Sequence, residues 1–269
     1  MRFIVLPLFI LVGLLLMAQS QSKSKIRIIH ADYNLGRKVN DEQLRILKGS
    51  VHVIKDTIQM YCDSAYYYEQ RNVLQLLSNV KVNNGSRVVR ATKILYYPDD
   101  DLTECIGNVR ATSIKDSLFA RRLVYNLKKK DASASGDVYL WSKKDFATVT
   151  GQYGYFNDAQ RFFRMTKNSH FTQIDTTTSD SFQVFSEVLE YYGDTLNYAY
   201  AVDSVRISQG DFLAHCDTAW YYNKSEIAWL KGNPIAWVEK SELTGTVMKA
   251  KFDSTDLKHI VTPPLGFLI

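Results

Sequence analysis

From Leu74 to Val82 the chain reads Leu-Gln-Leu-Leu-Ser-Asn-Val-Lys-Val. Leu74, Leu76, Val80 and Val82 share one parity, while Gln75, Asn79 and Lys81 take the other. This period-2 pattern predicts a strand with one buried face. Asn83-Asn84-Gly85-Ser86 follows as a turn, where Asn and Gly tolerate positive φ. Arg87 to Tyr97 then reads as the return strand, with Val89, Ala91, Ile94 and Tyr96 inward. The parity shift between Ala91 and Ile94 predicts a bulge or bend that curls the sheet. Pro98-Asp99-Asp100-Asp101 closes the unit.

This pattern recurs. Gly49-Ser50-Val51, Ser78-Asn79-Val80, Gly107-Asn108-Val109 and Gly136-Asp137-Val138 each start 29 residues after the one before, and Asp203-Ser204-Val205 and Gly232-Asn233-Pro234 repeat that spacing late in the chain. Thirteen residues into most units stands a small residue and five further on a tyrosine: Cys62/Tyr67, Ala91/Tyr96, Ala120/Tyr125, Cys216/Tyr221. A fixed period of this length means stacked supersecondary units that bury a shared core through their neighbours. Turns at Ser113–Asp116, Ser142–Asp145 and Ser208–Asp211 alternate with turns at Lys128–Asp131, Asn157–Gln160 and Asn223–Ser225. Each unit is therefore expected to hold two antiparallel strands of about 8–11 residues, longer than the common ~5–6, with almost no helix. Residues 168–204 form a stretched unit containing the Thr-rich loop Asp175–Ser181, and residues 253–269 read as an irregular tail.

The ends and composition add a compartment. Arg2, the apolar run Phe3 to Met17 and the small residues around Ala18-Gln19-Ser20 read as an export signal over residues 1–20, too short for the ~20 apolar residues of a membrane span. The array proper then occupies residues 21–252. A net charge of +5 with no dense Lys/Arg stripe excludes a nucleic-acid footprint. Seventeen tyrosines and thirteen phenylalanines suit half-buried strands.

Candidate chemistry is sparse. Cys62, Cys105 and Cys216 lack CxxC spacing, and two of them fill a position that is alanine in sister units, so they read as small core residues. The five histidines never take metal-ligand spacing. Asp63 and Asp217 recur at matching positions and are the best polar candidates, whether facing solvent, bonded to turn backbone or acting as a catalytic pair. Asp99–Asp101 and Lys128–Lys130 read as solvated turns, with a phosphate-facing role as the alternative for the lysines. No nucleophile elbow, P-loop or zinc-protease motif is present. No cofactor and no enzymatic activity are expected.

The phased G-N-V-x-V…A-x-x-L-x-Y pattern behind an export signal resembles the OstA-like (organic solvent tolerance), LptA-type family. The resemblance covers roughly Ile26 to Phe252. It implies an all-β, twisted V-shaped antiparallel β-jellyroll in the periplasm, whose apolar groove holds the acyl chains of lipopolysaccharide and whose ends join partners or further copies on the way to the outer membrane. Parity places Val51, Val53, Met60, Val80, Val82, Val89, Val109, Leu118, Val138, Leu140, Ala147, Val205, Ile207 and Phe212 along that groove. The expected partners are lipopolysaccharide or a related lipid, together with other envelope components or copies reached through exposed edge strands. The rival expectation is an envelope scaffold that self-assembles end to end without carrying lipid. A carbohydrate-active enzyme and an outer-membrane barrel fit less well, the barrel because the turns are short on both sides.

Overall fold

The structure is a computed structural model that describes residues 26–176, 180–193, 197–253 and 256–263. The expected export signal and the last residues of the expected tail lie outside the described residues, as does part of the Thr-rich loop. The described chain is all-β, with nineteen strands and no helix. In order these are β1 (Arg27–His30), β2 (Tyr33–Val39), β3 (Glu42–Lys55), β4 (Ile58–Tyr68), β5 (Val73–Asn83), β6 (Arg87–Tyr97), β7 (Leu102–Ser113), β8 (Asp116–Asn126), β9 (Asp131–Ser142) and β10 (Ala147–Asn157). They continue as β11 (Phe162–Ile174), β12 (Ser181–Tyr192), β13 (Tyr198–Gln209), β14 (Phe212–Tyr222), β15 (Ile227–Lys231), β16 (Ile235–Val238), β17 (Ser241–Thr244), β18 (Val247–Asp253) and β19 (Asp256–Val261). Residues 256–261, assigned to the tail on sequence, thus form a hairpin with β18.

The chain divides into two compact units. The N-terminal unit comprises residues 26–138 with Asn157–Ala159, and the C-terminal unit Tyr139–Phe156 with residues 160–263. Within the first, β3 to β8 form an antiparallel meander in which each strand pairs with the next. Within the second, β11 to β14 do the same. At the start of the first meander the long strand β3 is matched by two short ones, β2 on its first half and β1 on its second. At the end of the second, β14 is matched by β16 and β15 in the same manner. The break between β15 and β16 falls at Gly232-Asn233-Pro234, where proline withholds a ladder donor.

The repeat's signature dipeptide is a β-bulge. Register shifts fall between Lys48 and Val51, Leu77 and Val80, Ile106 and Val109, and Val202 and Val205. At each, two successive residues take positive φ: Gly49 and Ser50, Ser78 and Asn79, Gly107 and Asn108, Asp203 and Ser204. Gly136-Asp137, Lys167-Asn168 and Gly232-Asn233 do the same, so the stretched unit keeps its bulge without the Gly-Asn consensus. The parity shift inferred between Ala91 and Ile94 is present, but the extra residue sits on the facing strand: Leu77 pairs with Lys93 and Val80 with Ala91. Strands run 11 to 14 residues through the meanders, at or above the upper end of the expected 8–11, because the bulge lies inside one continuous strand rather than ending it.

The bulge bends each strand so that both halves offer an apolar face to one interior. Leu74 and Leu76 before it and Val80 and Val82 after it are all at most 3% exposed. The valine after each bulge pairs directly with the small residue of the next strand, Val51 with Cys62, Val80 with Ala91, Val109 with Ala120 and Val205 with Cys216. The glycine has its own reason: a Cβ on Gly107 would lie 2.6 Å from Thr92 Oγ1, at φ +78°.

Candidate functional site: the apolar interior

In the N-terminal unit the interior is filled. Val51, Val53, Met60, Val80, Val82, Val89, Val109, Leu118 and Val138 are each 3% exposed or less, packed with Leu76, Ile94 and Leu123. The open edges of its two walls are tied by polar groups. Lys55, at the end of β3, donates from Nζ to the Tyr96 hydroxyl on β6 at 2.7 Å, although these strands are not paired. Arg87, buried at the start of β6, has Asp116, Asp158 and Tyr125 around it. Burial pushes the Asp158 carboxyl up to about 6 despite the pull of Arg87 and Lys130. Burial first, then Asp158, pushes Tyr125 up to about 12. The Tyr125 hydroxyl and Asp158 Oδ1 make no hydrogen bond, a cost tolerated where a charge must be covered at an otherwise apolar rim.

In the C-terminal unit the interior opens into a cleft of about 940 Å³ including its open side. Phe163 and Phe171 of β11, Phe182, Val184, Leu189 and Tyr191 of β12, and Phe252 of β18 wall it. Its floor is Ala199, Ala201, Ala219 and Ala228. Counted from the bulge dipeptide, Ala201 occupies the place of Leu76, Ala199 and Ala228 that of Leu74, and Ala219 that of Ile94 and Leu123. Other strands of the N-terminal unit carry Ala65, Ala132 and Ala134 at these phases, so it is the combination of alanines on neighbouring strands that marks the cleft. Rings hold the walls apart: Phe212 and Phe252 meet edge to face at 6.2 Å, as do Tyr221 and Phe252 at 6.1 Å. Among the described residues Glu190 is the one carboxylate lining the cleft. It is neutralised by Arg164, with Nη2 to Oε1 at 2.6 Å, and accepts the Tyr192 hydroxyl at 2.6 Å. What remains is an apolar site suited to hydrocarbon.

Of the fourteen positions selected on parity, Leu140, Ala147, Val205, Ile207 and Phe212 fall in the C-terminal unit and are likewise buried. Ile207 alone among the fourteen lines the cleft. The wall residues of β11 and β12 and the alanine floor were missed. Their signal was present as phenylalanines at inward parity in the stretched unit and alanines in place of leucine opposite them.

The polar candidates have structural surroundings. Asp63 is exposed and accepts a hydrogen bond from Asn79 Nδ2 at 2.8 Å, steadying a bulge. Asp217 lies over Gly232, whose absent side chain leaves room for it. Asp99 links turns, accepting from Asn72 through its carboxylate and from Lys128 through its carbonyl, each at 2.8 Å. The three cysteines are free and buried, and desolvation pushes Cys105 and Cys216 up to about 12 and Cys62 to about 11. Thiols held that firmly protonated are poor nucleophiles and metal ligands. Among the described residues no group of three His, Cys, Asp or Glu side chains is placed to hold a metal ion.

Stacked two-strand units bent at a repeating bulge around an apolar interior define a β-repeat protein whose evident asset is that interior. The family model for OstA-like protein matches residues 23–165, more than half of the chain, and the chain belongs to that family. The solved structures include LptH from Pseudomonas aeruginosa, titled the LptA-homologous periplasmic component of the lipopolysaccharide transport device. It matches at 10% identity over 66% of this chain and 95% of that one, with a TM-score of 0.26. Among curated proteins none matches the sequence.

Proposed function

We propose that this protein is a periplasmic lipid-binding component of lipopolysaccharide transport to the outer membrane, holding acyl chains in its apolar interior. Membership of the OstA-like family supports the class, and the alanine-floored cleft of the C-terminal unit is the observation that carries lipid binding. Each methylene buried there contributes about 0.8 kcal/mol, so a chain of a few carbons binds without any specific polar contact. No covalent step is required. Export by the N-terminal apolar run and end-to-end partnership through edge strands complete the reading. The nine inward positions of the N-terminal unit line an interior of the same apolar character, closed and reached by lipid only when its walls part.

A photoactivatable residue at Val184, on the cleft wall, is expected to give lipid adducts in cells, and one at neighbouring Gln183, on the opposite parity, none. Lipid extracted from the purified chain should contain acyl chains. A chain that copurifies with no lipid and yields equal adducts at both positions would be the non-carrying scaffold instead.

A further inference from the structure

The outward face of the C-terminal unit is unlike an ordinary wet sheet face. Three of the chain's four tryptophans, Trp220, Trp229 and Trp237, stand on it rather than in the core. Trp220 of β14 is flanked across the ladder by Tyr200 of β13 and Trp229 of β15, one continuous row. Tyr200 and Trp220 stack at 4.7 Å, and beside them Tyr192 and Tyr198 stack at 4.6 Å. Next along β14 and β16, Leu213 is 49% and Trp237 36% exposed. Cations lie over the rings: Lys231 at 5.0 Å from the Trp220 centroid and Lys249 at 5.5 Å from that of Trp229. Neither lysine has an ion-pair partner among the described residues.

We infer that this tryptophan–lysine face docks on an anionic lipid bilayer surface. Three arguments select that occupant. Rings that are apolar in body and polar at one end, bordered by cations, are the composition enriched where membrane meets water. The unpaired ammonium groups complement anionic headgroups, and their stems can lie along apolar surface while the charge stays wet. A saccharide stacks on ring faces, and here those of Tyr200, Trp220 and Trp229 are engaged by neighbouring rings and lysines. A protein partner fits less well, because lysine is depleted from the cores of protein interfaces. Tyr200 and Trp220 also border the lipid cleft, whereas Trp229, Trp237 and both lysines do not, so a scaffold without bound lipid would dock through them in the same way.

The test uses the intrinsic tryptophans of the full chain. Residues 1–25 contain none, so the emission itself comes from the strands and not from the apolar N-terminal run. With phosphatidylglycerol vesicles carrying brominated acyl chains, tryptophan emission should shift to the blue and be quenched, and with brominated phosphatidylcholine much less so. Replacing both lysines, K231Q/K249Q, should weaken partitioning roughly thirtyfold at low salt while leaving the circular dichroism spectrum unchanged. The inference is overturned if anionic vesicles give no quenching, if the two vesicle types quench alike, or if the double variant partitions as the parent does. Self-association that shields the tryptophans before any vesicle is added would overturn it as well, making a second copy the occupant.

Discussion

The two units are built from one repeat yet hold different interiors. In the N-terminal unit leucine, isoleucine and valine from both halves of each bent strand meet and close the space, and its rim is tied by Lys55, Tyr96 and the group around Arg87. In the C-terminal unit Ala199, Ala201, Ala219 and Ala228 face phenylalanines and the space stays open, although Ala65, Ala132 and Ala134 hold the same phases in the filled unit. The bend is set by the bulge; whether the hollow it makes is occupied is set by four or five side chains.

The largest effect that would test this contrast is in the filled unit. Leu123→Ala, at a side chain 1% exposed, should cost about 2–5 kcal/mol, measured by urea unfolding. Leu189→Ala, which borders the existing cleft, should cost much less, since no new enclosed cavity forms. Equal costs would mean that the two interiors are equally packed.

Bulges, by contrast, should matter equally in both units. Gly107→Ala places Cβ against Thr92, and Gly232→Ala places it 2.1 Å from the Asp217 carboxylate, both at positive φ. Each should lose about 1–3 kcal/mol, whereas Gly85→Ala, with open space around it, should lose only what its own backbone strain costs. A difference between Gly107 and Gly232 larger than that range would show that the bend itself is not common to the two units.

The reciprocal of the leucine deletion is to fill the cleft. Ala201→Leu with Ala219→Leu restores the side-chain sizes of Leu76 and Leu123 to the same phases. Stability should change by about 1 kcal/mol or less, because the added methylenes enter open space rather than a packed core. Binding of a fluorescent fatty-acyl probe should fall at least tenfold. Full retention of probe binding would place the lipid elsewhere.

How far the sequence shows this depends on which property each residue reports. Period-2 parity is local, so Val80, Val109 and Leu118 read as inward from their neighbours alone, and all three are buried. The Gly-Asn dipeptide marked each unit, and its role as the bulge followed only once register showed the extra residue on that strand. The C-terminal cleft was harder to see, because emptiness is a relation between strands. Ala201 is unremarkable until Phe163 and Phe252 are found across from it. Polar closure at the rim was equally hidden: Lys55 and Tyr96 lie 41 positions apart, and Asp158 sits in a turn that reads as solvated.

That turn supplies the smallest and most specific difference. The Asp158 carboxyl is raised from 3.8 to about 6, chiefly by burial, with Arg87 and Lys130 pulling the other way. A carboxyl whose folded value lies above its unfolded one binds its proton more tightly in the folded state. Its contribution to stability is therefore fully present below about pH 4 and is lost as pH rises through about 6. An amide in its place does not titrate, so the melting temperature of the parent relative to the Asp158→Asn variant should fall over that window. Solvent reaching a partly exposed carboxyl trims the effect to about 1 kcal/mol, or roughly 2–4 °C for a chain of this size. Asp158 is not among the residues that line the cleft. Lipid-probe affinity measured across pH 4–7 should accordingly be flat while the melting temperature moves. Parallel changes in both would mean that closure of the N-terminal rim governs access to lipid.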